Sequence, residues 1–199
     1  MSNQALAQDD EGLLSPFLRK RRFKAITSHI PLGSVVLDLA CGSGQLRHYL
    51  TPDCRYMGAD RSSAASAALG GQFLAIDLAR LDAFAEVDRW LPLRPQVIIL
   101  TAILEHIGDP GALLAACSTL LPPQGLIVGT TPHPRGRFLH DAFARCGLCS
   151  REAANEHETF LGHSALSAAA VAAQLELFVY KQFLCGLNQV FVLRKGPRS

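Results

Sequence analysis

The chain has 199 residues, the length of one ordinary domain. Its 19 Lys and Arg nearly balance 17 Asp and Glu, and a formal charge of +2 argues against a protein that coats nucleic acid through bulk charge. With 49% apolar and 18% charged residues the chain is not disordered, and at this size it buries a core without metal or disulfide staples.

Residues 1–12, polar and acidic, read as a flexible tail with no basic-then-apolar export signal. The cysteines at 41, 54, 117, 146, 149 and 185 are scattered, so reduced thiols and a cytoplasmic location are expected. A single Cys146-x-x-Cys149 without a second pair is a poor zinc or redox signal. No apolar run approaches the ~20 residues of a membrane span, so no integral membrane association is expected.

In chain order, residues 13–30 read as a helix with Leu14, Phe17, Leu18, Phe23 and Ile26 apolar and a basic run from Arg19 to Arg22 plus Lys24. SVVLDLA (34–40) is brief and β-branched, the pattern of a buried strand. Helix is expected over Gln45–Leu50, a second strand over Arg55–Ala59, and an alanine-rich helix over Asp60–Leu69 stopped by Gly70-Gly71. Gln72–Ile76 is a third strand, and Leu81, Phe84 and Val87 have helical spacing. VIILTAI (97–103) is the fourth and most apolar strand. Asp109-Pro110 supplies an N-cap and a first-turn proline for the next helix, which Pro122-Pro123 ends. GLIVGTT (125–131) is a fifth strand and Leu166–Ala173 a further helix. Leu177–Phe183 and Leu187–Leu193 are joined by a turn at Cys185-Gly186 too short for a crossover, so they pair antiparallel. Alternating strands and helices predict an α/β fold, a mostly parallel sheet covered on both faces.

The chemistry begins at Asp38-Leu39-Ala40-Cys41-Gly42-Ser43-Gly44, where small residues let the backbone turn sharply against a ligand. Asp38, Asp60 and Asp77 stand at the ends of three successive strands, and an open parallel sheet binds ligands beyond those ends. Asp60 is placed for the two hydroxyls of a ribose. Asp77, with the Leu78 N–H, is placed for an exocyclic amine such as that of adenine. Asp38 beside the loop would repel a pyrophosphate and suits a cation. The third glycine of GxGxxG is replaced by Arg47. Nucleoside plus positive charge points to S-adenosylmethionine rather than NAD.

VLDLACGSGQL, YMGADRS, FLAIDLA, ILTAILEHIGDPGALL and LLPPQGLIVGTTPHP, in this order, resemble the successive motifs of class I S-adenosylmethionine-dependent methyltransferases. The likeness is closest to the small-molecule branch that includes the ubiquinone-biosynthesis O-methyltransferases, and it covers about residues 20–195. It implies a Rossmann-like seven-stranded sheet in the order 3-2-1-4-5-7-6 with strand seven antiparallel, within a single domain over 13–199. It further implies that Asp38, Ala40, Cys41, Gly42 and Gly44 line the methionine part, and that Asp60 with Arg61 holds the ribose. Asp77 and Leu78 would hold the adenine. Thr101 would contribute backbone near the sulfonium, and Arg22 would meet the cofactor carboxylate. S-adenosylhomocysteine would be the product. Ala40 departs from a common glycine.

His106, beside Glu105 at the rim, is the candidate base for an O- or N-acceptor; the alternative is a structural cap of the strand end. In ubiquinone-type relatives a glutamate three residues before the Glu-His pair helps to hold magnesium. Ala102 stands there, so no required metal is expected. Residues 13–30 and 131–163, rich in Arg and in His133, His140, His157 and His163, form the expected acceptor-side cap. An anionic small molecule is one reading of this basic set, and a solvated helix face the other. The chain lacks the Asn/Asp-Pro-Pro-aromatic sequence of amino-directed DNA enzymes and carries Thr101-Ala102-Ile103-Leu104 instead, so no nucleic-acid partner is expected. A catalytically inactive, cofactor-binding regulatory protein of the same fold is the competing function class. The sequence leaves the oligomeric state open.

Overall fold

The structure, a computed structural model, describes residues 15–134 and 161–197. The expected tail, most of the 131–163 cap and the Cys146-x-x-Cys149 pair lie outside the described residues.

Seven strands form one sheet: β1 (Val35–Leu39), β2 (Arg55–Asp60), β3 (Phe73–Ala75), β4 (Val97–Thr101), β5 (Leu126–Pro132), β6 (Leu175–Phe183) and β7 (Asn188–Lys195), in the order β3-β2-β1-β4-β5-β7-β6. The first five are parallel, and β7 runs antiparallel between β5 and β6. The expected architecture is therefore the observed one. The described helices are α1 (Ser15–Thr27), α2 (Ser66–Leu69), α3 (Phe84–Trp90), α4 (Pro110–Leu120) and α5 (His163–Ala172).

The central strands are apolar throughout because both faces are covered. Leu37, Leu39, Ile98, Leu100, Ile127, Phe191 and Leu193 pack with Phe84, Leu113, Cys117 and Leu166 of α3, α4 and α5. Val36, Val97, Ile99, Val128 and Val192 pack on the other face with Phe23 and Ile26 of α1. Asp109 caps α4 as expected, its carboxylate accepting from the Ala112 N–H at 2.9 Å.

The helix expected over Leu166–Ala173 begins earlier, at His163, and the strand expected over Leu177–Phe183 begins at Leu175. Three further departures each have a local reason. The expected helix over Asp60–Leu69 does not begin at Asp60. The Asp60 carboxylate accepts from the Ser62 N–H (2.8 Å) and the Ser62 hydroxyl from the Ala64 N–H (3.3 Å), so a 3-10 turn at Ser63–Ala65 precedes α2. Gln45–Tyr49 is a 3-10 turn rather than an α-helix, entered from Gly44 at φ 70°. β4 stops at Thr101, not at residue 103, because Ala102 turns left-handed at φ 52°.

Candidate functional site

The carboxyl ends of β1, β2 and β4 converge on one crevice with two lobes that share Ala40 as a wall. β1 lies between β2 and β4, so the chain leaves the sheet in opposite directions on its two sides, and that divergence opens the crevice. One lobe, of about 450 Å³, is lined by Arg19 and Arg22 of α1 together with Asp38, Cys41, Gly42 and Thr101. The other, of about 630 Å³, is lined by Asp60, Arg61, Asp77, Leu78, Glu105 and His106. The fold thus brings together every expected site residue except Gly44. Gly44 instead faces α2, where an added Cβ would lie 3.2 Å from Leu69 Cδ1. Its left-handed conformation serves the turn, not the wall.

Asp38 is 2% exposed. Its Oδ2 accepts from the Tyr56 hydroxyl at 2.6 Å, while Oδ1 is buried with no hydrogen-bond partner. Burial raises its pKa to about 7, with the neighbouring Asp60 charge adding to the rise and the Tyr56 bond opposing it. Asp60 braces the glycine loop. Its Oδ2 accepts from the Gly42 N–H at 2.7 Å while Oδ1 holds Ser62. Asp77 is exposed and accepts from the Ala79 N–H at 3.0 Å, which turns the chain after β3. Cys41 is no nucleophile, because burial and the charges of Asp38 and Asp60 push its thiol to about 12.

Arg22 is anchored at its Nε by Asn188 Oδ1 of β7 at 3.2 Å. Ala40 and Ala102, on adjacent strand ends across the crevice, both adopt left-handed conformations, φ 62° and 52°. Such backbone in alanine is sparsely populated and collects at binding sites. His106 is exposed at the rim, at the end of the 3-10 turn Leu104–His106. Glu105 is buried beside it, 3% exposed, with Oε2 unpartnered. Burial raises its pKa, and the charges of His106 and Arg22 work the other way.

Sequence reasoning missed Tyr56 and Asn188. A tyrosine beside Met57, Gly58 and Ala59 was the available signal for the first, and the second comes from β7, far away in the chain. Arg19, read as part of the basic run of α1, lines the lobe beside Arg22.

This crevice, sheet order and antiparallel last strand define a class I methyltransferase fold. The chain belongs to the methyltransferase domain family, whose profile matches residues 11–178. It is 31% identical over 116 residues to a ubiquinone biosynthesis O-methyltransferase of Paraburkholderia phytofirmans, an alignment covering 55% of this chain and 50% of that protein. The chain thus spans about half the length of the curated relatives it matches. Among solved structures, it resembles the Haloferax volcanii methyltransferase in complex with the Trm112 activator, with TM-score 0.69 and 16% identity over 92% of this chain and 93% of that one. It also resembles the Burkholderia thailandensis 1,6-didemethyltoxoflavin-N1-methyltransferase with bound 1,6-didemethyltoxoflavin and S-adenosylhomocysteine. There the TM-score is 0.63 and the identity 18%, over 87% of this chain and 76% of that one. These structural likenesses concern the fold.

The donor set fits S-adenosylmethionine. Asp38 offers a buried oxygen without a partner, and Gly42, at φ 55°, has nothing within 4 Å of where a Cβ would stand. Ala102, after β4, brings no side-chain oxygen to the crevice, and no three His, Cys, Asp or Glu side chains cluster for a metal among the described residues. No described helix is long and apolar enough to cross a membrane.

Proposed function

We propose that the protein transfers a methyl group from S-adenosylmethionine to the oxygen or nitrogen of a small molecule, with no required metal. The observation that carries this reading is the buried, unpartnered Asp38 oxygen beside a loop of small residues, one lobe away from the Asp60 and Asp77 carboxylates. Asp38 and Arg22 meet the ammonium and carboxylate of the donor's methionine end. Ala40, Cys41 and Gly42 supply close backbone, and Thr101 closes the lobe from β4. Asp60 accepts from the ribose hydroxyls with lone pairs not used by Gly42 and Ser62, with Arg61 beside it. Asp77 and Leu78 hold the adenine.

Bound there, the donor brings a sulfonium whose methyl is already activated, so the chain's task is positioning and desolvation. His106 takes the acceptor's proton at the rim. Arg19 gives the methionine lobe a positive wall suited to an anionic acceptor. A small acceptor is further supported by the fold's likeness to an enzyme solved with a toxoflavin precursor.

Replacing Asp60 with Ala tests the reading. Lost hydrogen bonds from a carboxylate contribute about 1.5–3 kcal/mol each, so affinity for S-adenosylhomocysteine should fall about 100-fold or more by calorimetry while the protein stays folded. Unchanged affinity removes Asp60 from the ribose role.

A further inference from the structure

We propose that Tyr56 is a positioning residue for the donor: it pins one oxygen of Asp38 and leaves the other as the single acceptor presented to the donor's ammonium. The inference rests on the donor reading above and adds to it Tyr56, which opens YMGADRS and to which the sequence reading gave no role.

Register explains why Tyr56 alone on β2 can do this. Val36 pairs with Tyr56 and Asp38 with Gly58, so Tyr56 stands on the same sheet face as Asp38, one step back on the neighbouring strand. Gly58, directly opposite Asp38, has no side chain to offer. Its place is taken by Cys41 and Leu69, which an added Cβ would meet at 2.8 and 2.9 Å. The Tyr56 ring is fixed in the core with Val36, Leu46, Ala65 and Leu69, which leaves the hydroxyl one direction to point. That hydroxyl lies 2.6 Å from Asp38 Oδ2. Burial and the adjacent Asp38 charge push its own titration far up, so it stays a donor. A buried carboxylate oxygen left without a partner is costly, and its persistence calls for a ligand. Oδ1 is that oxygen, and Asp38 lines the lobe that Arg22, Gly42 and Thr101 share.

A pH signature follows. The groups facing Asp38 are Tyr56 and Asp60 from β2, Cys41 from the loop, and Arg19 and Arg22 from α1 across the lobe. Burial holds the Asp38 proton up to about pH 7 and the Tyr56 bond draws it down. Donor binding therefore strengthens as pH rises through that region and releases a proton below it. Removing the tyrosine bond raises the midpoint.

The test is calorimetric titration of S-adenosylhomocysteine between about pH 5.5 and 8.5 into the wild type, Tyr56→Phe and Asp38→Asn. Tyr56→Phe should bind about tenfold more weakly at pH 7, with its midpoint raised by about one unit and much of the loss recovered at the alkaline end. Fluorotyrosine at position 56, a stronger donor of the same shape, should move the midpoint the other way. An unmoved midpoint in both variants, whether or not affinity falls uniformly, overturns the positioning role. Asp38→Asn should bind weakly with little pH dependence; wild-type affinity in that variant would instead defeat the donor reading itself.

Discussion

Asp38 shows how burial ties one residue's protonation to stability. Its folded pKa of about 7 stands above the ordinary 3.8, so the folded state holds its proton more tightly than the unfolded chain does. Its contribution is fully present below about pH 4 and is lost as pH rises to about 7, a loss on the order of 4 kcal/mol in the ligand-free protein. Asp38→Asn removes that dependence. Between pH 5 and 7.5 the thermal midpoint of the free wild type should therefore fall relative to that of Asp38→Asn, and saturating S-adenosylhomocysteine should narrow the gap. Parallel melting curves for the two proteins would show that Asp38 titrates in the ordinary carboxylate range. The sequence disclosed Asp38 through its place between a strand and a small-residue loop. It could not disclose Tyr56, because that contact depends on strand register and on a glycine opposite, not on spacing along the chain.

At the level of elements, Gly129 of β5 leaves no room for a side chain between β4 and β7. A Cβ built there would lie 2.3 Å from Phe191 Cζ on β7 and 2.7 Å from the Leu100 carbonyl on β4. Overpacking between a rigid ring and a backbone costs about 1–3 kcal/mol and can cost more. Gly129→Ala should lower stability by at least that much in urea titration, and adding Phe191→Leu should recover only part, since the Leu100 carbonyl cannot yield. Full stability in Gly129→Ala would mean that β4, β5 and β7 pack less tightly than described. Strand identities and the antiparallel β6–β7 hairpin were legible because apolar runs and a short turn are local signals. The ends of β4 and the start of α2 were not. A left-handed Ala102 and the Asp60–Ser62 turn stop or delay regular structure where propensity alone would continue it.

Across the whole molecule, the sheet presents a crevice whose two lobes meet at Ala40, with carboxylates at the ends of β1, β2 and β3 and arginines from α1 opposite Asp38. The ordered motifs placed these carboxylates at successive strand ends, which is where the sheet holds them. The acceptor side was legible only as a basic tendency: most of the expected 131–163 segment lies in residues 135–160, outside the described part, and of that segment's histidines only His133 and His163 are placed. His133 meets Gln182 of β6 at 2.9 Å, and His163 packs edge-on against Tyr180, so both lean on β6. The most direct test of the account is a crystal structure with S-adenosylhomocysteine. The account predicts its sulfur at the ends of β1 and β4, its ammonium on Asp38 Oδ1 and its ribose on Asp60. A ligand seated elsewhere, or one that leaves Asp38 Oδ1 and Asp60 without contact, would contradict it.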